Sequence, residues 1–262
     1  MNRIDDVFNK KGHKALIAYI TMGYPDLEST LKIVPLLAES GCDIIELGIP
    51  FSDPMADGAT IQHASYCALQ NGVTTKKCID IVKQLRKKTN VPLIFMTYYN
   101  PVYHYGLEKF CGDSIASGID GLIIPDLTPD EGEELENITE KIGLDLIYLL
   151  SPTSTSERIK LVSEKSHGFI YMVSLTGVTG ARDNMPIKID NFVADVRKAT
   201  DKPLCVGFGI STPEQAKQVS RIADGVIIGS QIIRLMEKEG DFDSIRNFTR
   251  EIRKVMDECK IP

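Results

Sequence analysis

The chain has 262 residues, 43% apolar and 25% charged, enough to bury a full core as one large domain or two small ones. A net charge of -6 and the lack of any long basic run argue against nucleic-acid and acidic-lipid partners. Six cysteines lie scattered without a Cys-x-x-Cys pair, the N-terminus lacks a signal-peptide apolar core, and no stretch approaches the ~20 apolar residues of a membrane span. A cytoplasmic protein with reduced thiols is expected.

Arg3–Lys10 reads as a short leading helix. Eight apolar runs follow: Ala15–Thr21, Asp43–Ile49, Pro92–Tyr98, Gly121–Asp126, Leu144–Leu150, Gly168–Ser174, Pro203–Ile210 and Gly225–Gly229. Most are continuously apolar rather than alternating, the pattern of parallel strands buried on both faces. Amphipathic stretches of helical character separate them, such as Glu28–Glu39 and Glu214–Ala223, the latter opened by the cap signals of Ser211-Thr-Pro-Glu214. Eight strand-helix units predict an α/β fold, a (β/α)8 TIM barrel in a single domain over 1–262, with the leading helix closing its bottom. The rival, a doubly wound open sheet, lacks its usual GxGxxG turn, since Met22-Gly-Tyr-Pro25 follows the first strand.

The strand starts are spaced by 28, 49, 29, 23, 24, 35 and 22 residues, so the units after strands 2 and 6 are oversized. In this fold the βα loops surround the active site, and long ones are usually functional. The second unit contains Glu46-Leu-Gly-Ile-Pro-Phe-Ser-Asp-Pro-Met-Ala-Asp57, with one acid on a strand and the other in a turn-rich loop. Such a pair suits proton chemistry on a bound substrate, although structural acids occupy similar places. Enlarged loop 6 is Leu175-Thr-Gly-Val-Thr-Gly-Ala-Arg-Asp-Asn-Met-Pro186.

Glycines end strands 7 and 8, in Gly207-Phe-Gly-Ile-Ser211 and Gly229-Ser230. Backbone N–H groups in these two loops and at a following helix form the usual anion site of such barrels, with Gly209, Gly229 and the Ser230 hydroxyl as donors and Gly180 as a possible third wall. His13, His63, His104 and His167 show no metal-ligand spacing, so no metal is expected. The aromatic-rich connection Tyr99–Tyr105, loop 51–57 and Thr128-Pro-Asp130 belong to the mouth face and suit a docking partner.

The string from Glu46 to Gln62 resembles the signature of the tryptophan synthase α subunit. So do Pro125-Asp126, Gly177-Val-Thr-Gly-Ala-Arg182 and Gly207-Phe-Gly-Ile-Ser211, in the family's order over nearly the whole chain. The resemblance implies retro-aldol cleavage of indole-3-glycerol phosphate to indole and glyceraldehyde 3-phosphate. It implies no cofactor in this chain and a β subunit carrying pyridoxal phosphate, in an αββα assembly that passes indole between sites. By the family pattern Glu46 is the acid-base residue and Asp57 accepts the indole N–H. Tyr171 helps position Glu46 or the substrate, while Phe208, Tyr19, Tyr98 and Ile123 line the indole pocket. Thr179 contacts Asp57 when loop 6 closes. Another phosphosugar barrel, a stand-alone indole-glycerol phosphate lyase and a catalytically idle regulatory subunit remain as alternatives.

Overall fold

The structure, a computed structural model, describes residues 3–173, 185–207, 209–237 and 242–259. Its strands are β1 (Ala15–Thr21), β2 (Ile44–Gly48), β3 (Leu93–Met96), β4 (Gly121–Ile123), β5 (Asp145–Ile147), β6 (Leu149–Leu150), β7 (Ile170–Val173), β8 (Leu204–Gly207) and β9 (Gly225–Ile228). All pairings are parallel, in the order β5-β4-β3-β2-β1-β9-β8-β7-β6. The two ends of this order are one stretch of chain interrupted only at Tyr148, whose carbonyl accepts from Tyr171 N at 3.0 Å. Thus β5 and β6 act as one strand, and the sheet closes into the expected eight-unit barrel.

The helices are α1 (Arg3–Phe8), α2 (Leu27–Glu39), α3 (Ala59–Gln70), α4 (Thr75–Leu85), α5 (Tyr99–Tyr105), α6 (Leu107–Ser117), α7 (Glu133–Ile142), α8 (Ser156–Lys165), α9 (Met185–Arg197), α10 (Pro213–Ser220), α11 (Ser230–Met236) and α12 (Asp243–Asp257). Two of them, α3 and α4, fill the long interval between β2 and β3. Much of the extra length assigned to an enlarged loop is therefore a helix beginning two residues after Asp57. Likewise Tyr99–Tyr105 is a helix rather than an open connection; its first amide, Tyr99 N, donates to Asp126 Oδ1 at 2.8 Å.

At the opposite end, α1 plugs the barrel. Ile4 is fully buried against Gly121 and Gly168, where added methyl groups would sit 3.2 and 3.1 Å from its side chain, and the Phe8 ring packs 5.9 Å from that of Phe169. The same end carries a repeated device, an aspartate just before a strand. Asp43 accepts from Leu16 N at 2.8 Å and faces His13 and Arg253. Asp120 accepts from Leu93 N at 2.8 Å and pairs with Arg3 and Arg86, and Asp224 accepts from Leu204 N at 2.9 Å and pairs with Arg197. Each carboxylate satisfies a strand-end amide and ties a helix to the barrel floor.

Candidate active site

Glu46 is the middle residue of β2 and is fully buried, in register with Tyr19 on β1 and Ile94 on β3. Among the described residues neither of its carboxylate oxygens has a hydrogen-bond partner. Burial without a compensating charge disfavours the anion, so its pKa rises from 4.5 to about 8. Glu46 is enclosed within the strand layer and is not among the residues that line the cavity beside it.

Asp57 follows the turn Pro54-Met-Ala, closed by Asp57 N donating to Pro54 O at 3.0 Å. Tyr98, between β3 and α5, locks this loop. Its hydroxyl donates to Asp57 Oδ2 at 3.1 Å and accepts from Ala56 N at 3.0 Å, while its ring packs 5.3 Å from Phe51. Burial raises the Asp57 pKa from 3.8 to about 6, and the Tyr98 hydrogen bond opposes that rise by favouring the anion. Asp57 Oδ1 is buried and has no partner among the described residues. At neutral pH the site therefore holds one protonated and one ionised carboxyl group.

A cavity of about 260 Å³ opens over this pair at the C-terminal ends of the strands. Of the residues expected from the sequence, Asp57, Tyr19, Tyr171, Gly209, Gly229 and Ser230 line it. Tyr19 and Tyr171 are buried, one on β1 and the other on β7. Glycines make room for their rings: a methyl at Gly48 would stand 2.2 Å from the Tyr19 hydroxyl oxygen, and one at Gly207 would stand 2.5 Å from that of Tyr171. Gly229 likewise leaves space beside the Tyr19 ring, at 3.2 Å. These rim glycines thus serve packing as well as any anion.

Tyr98 and Ile123 do not line the cavity. Tyr98 holds the Asp57 loop, and Ile123 is fully buried beside its register partner Met96, which does face the cavity. Thr179, Gly180 and Phe208 lie outside the described residues. Not assigned to the site from the sequence were Gly58, Ile61, Met96, Ile210, Ser211, Ile227, Gln231 and Arg234. Helical spacing could have found Arg234, four residues after Ser230, and strand register could have found Met96, opposite Gly48.

The anion loops also differ in availability. Gln215 Oε1 already accepts from Ser211 N at 2.8 Å and Thr212 N at 3.3 Å, within the capping box of α10. Gly209, at φ +85°, adopts a backbone that only glycine takes without strain and points the loop toward the cavity. At α11 no side chain caps the first turn. Among the described residues, no three His, Cys, Asp or Glu side chains are placed to share a metal ion. No helix there is long and apolar enough to cross a membrane.

The family model described as Tryptophan synthase alpha chain matches residues 6–260. A tryptophan synthase alpha chain from Dehalococcoides mccartyi is 54% identical over 257 residues, covering 98% of this chain and 100% of the relative. One from Geobacter sulfurreducens is 49% identical, covering 91% of each. Among solved structures, tryptophan synthase subunit alpha from Legionella pneumophila superposes with a TM-score of 0.92 at 36% identity, covering 98% of this chain and 99% of that one. A chain of M. tuberculosis tryptophan synthase, in an aminoacrylate-bound form, superposes with a TM-score of 0.89 at 36% identity, covering 98% and 100%. A closed barrel holding two buried acids, matched along nearly its whole length, places this chain in the tryptophan synthase alpha chain family, lyases of tryptophan biosynthesis that cleave indole-3-glycerol phosphate.

Proposed function

We propose that Glu46 and Asp57 perform this cleavage as a proton carrier and a fixed anion, within a single barrel domain spanning 1–262. The observation that carries the reading is the split between their ionisation states: burial raises Glu46 to about 8 and Asp57 only to about 6. Protonated Glu46 delivers its proton to indole C3, which makes the ring nitrogen cationic. Asp57 accepts the indole N–H and stabilises that charge more in the transition state than in the ground state. The Glu46 carboxylate so formed removes the proton from the glycerol hydroxyl beside the scissile bond. The carbon-carbon bond then breaks, its electrons return to the ring, and indole and glyceraldehyde 3-phosphate leave with Glu46 protonated again.

Tyr19, Tyr171, Ile61 and Met96 hold the indole ring, and the phosphate takes the Gly209 and Gly229-Ser230 side of the cavity. Thr179, Gly180 and Phe208 complete the site on the family pattern. Indole passes to the β subunit, which supplies the pyridoxal phosphate; this chain carries no cofactor of its own, and the assembly is an αββα heterotetramer in the cytoplasm. Exposed Met55 and Tyr103, on the Asp57 loop and on α5, support docking at the mouth. An assay of indole release from indole-3-glycerol phosphate, with and without β subunit, tests substrate, chemistry and partner together. Indole release accelerated by β is expected; no release under either condition removes the reading.

A further inference from the structure

Among the described residues, two side chains in the cavity wall carry formal charge, Asp57 and Arg234. Six arginines, Arg3, Arg86, Arg158, Arg197, Arg246 and Arg253, each face a carboxylate, and Arg221 and Arg250, which face none among the described residues, lie away from the cavity lining. Arg234 faces none among the described residues; its Nη1 donates only to the neutral Gln231 Oε1, at 3.2 Å. It stands four residues after Ser230, on the same face of α11, and is exposed at the cavity edge. A guanidinium has five N–H donors in a planar fork, so most of its donor capacity is uncommitted here.

The chain is acidic overall, and the same cavity contains Asp57. A phosphate dianion entering it meets repulsion that an unpaired cation at the rim offsets, and an Arg-phosphate contact adds directed, charge-assisted hydrogen bonds. We infer that Arg234 is a specificity-determining residue that recognises the substrate's phosphate group and discriminates phosphorylated from unphosphorylated indole-glycerol. The inference deepens the reading given under Proposed function and rests on it for the identity of the substrate.

The test compares the full-length wild type with Arg234→Gln and Arg234→Lys on indole-3-glycerol phosphate and on its dephosphorylated form, at low and high ionic strength. For Arg234→Gln we expect KM for the phosphorylated substrate to rise about tenfold, the loss of one charge-assisted contact, with a much smaller change in kcat. Its KM should also lose most of its salt dependence, because the missing charge was exposed to screening. Inhibition by inorganic phosphate should weaken in proportion, and cleavage of the dephosphorylated form should not change. Arg234→Lys, which keeps charge but not the fork, should fall between. An unchanged KM in Arg234→Gln, or an equal loss on both substrates, overturns the inference. Should the wild type cleave neither substrate, the functional reading fails instead. Calorimetric titration with inorganic phosphate then decides Arg234 alone: weaker binding in Arg234→Gln supports the role, and equal binding refutes it.

Discussion

Among the described residues Glu46 has no partner for either carboxylate oxygen, and burial holds it protonated through neutral pH. Replacement by Gln keeps its shape and removes its proton, so kcat for indole release should fall by about 10³ or more with the fold intact. Stability should move the other way. The folded pKa, about 8, lies above the ordinary 4.5, so the protonated group stabilises the fold fully below 4.5 and that contribution is lost as pH rises through about 8. Glu46→Gln should therefore melt above wild type at alkaline pH, with the advantage shrinking as pH falls; equal melting curves across that range would contradict burial as the cause. Tyr98→Phe removes the donor that favours ionised Asp57. The acidic limb of its pH-rate profile should move up by about half a unit to one unit. An unmoved limb would show that Tyr98 does not tune the aspartate.

At the scale of elements, all eight predicted apolar runs become strands because continuous apolar sequence has few alternatives to two-sided burial in a parallel sheet. Their ends are shorter than predicted, as in Gly121–Ile123, since the chain leaves the sheet to build rim loops while remaining apolar. The pairing of Gly48 with Tyr19, and of Gly207 with Tyr171, was not legible. Both depend on which strands become neighbours, and local sequence does not say where a ring will lean. Gly48→Ala should displace the Tyr19 ring, cost about 1–3 kcal/mol and reduce substrate binding, as read from denaturation and KM. The floor aspartates were equally hidden, because their partners come from distant helices. Asp120 is almost completely buried between Arg3 and Arg86, so Asp120→Ala should cost about 3–5 kcal/mol by leaving Arg86 buried without its counter-charge. Urea denaturation checks this, and a loss well under 1 kcal/mol would mean the cluster is solvated.

Across the whole molecule, stability and chemistry occupy opposite ends of one barrel. The floor is sealed by α1 and by aspartates that each hold an arginine. Toward the other end, among the described residues, Glu46 and Asp57 leave carboxyl oxygens unpartnered and Arg234 at the cavity edge lacks a counter-charge. The Glu46-to-Gln62 string made the proposed catalytic pair legible as candidates because its acids lie close in sequence. The wall opposite them was not, since Met96 and Ile227 reach the cavity only once the strands are in register. The opposed ionisation of the two acids is the central claim, and the pH dependence of kcat/KM for indole release tests it most directly. A bell is predicted, rising near pH 6 as Asp57 ionises and falling near pH 8 as Glu46 loses its proton, with the acidic limb missing in Asp57→Asn. A wild-type rate still climbing well above pH 8 would contradict a protonated Glu46 as the acid.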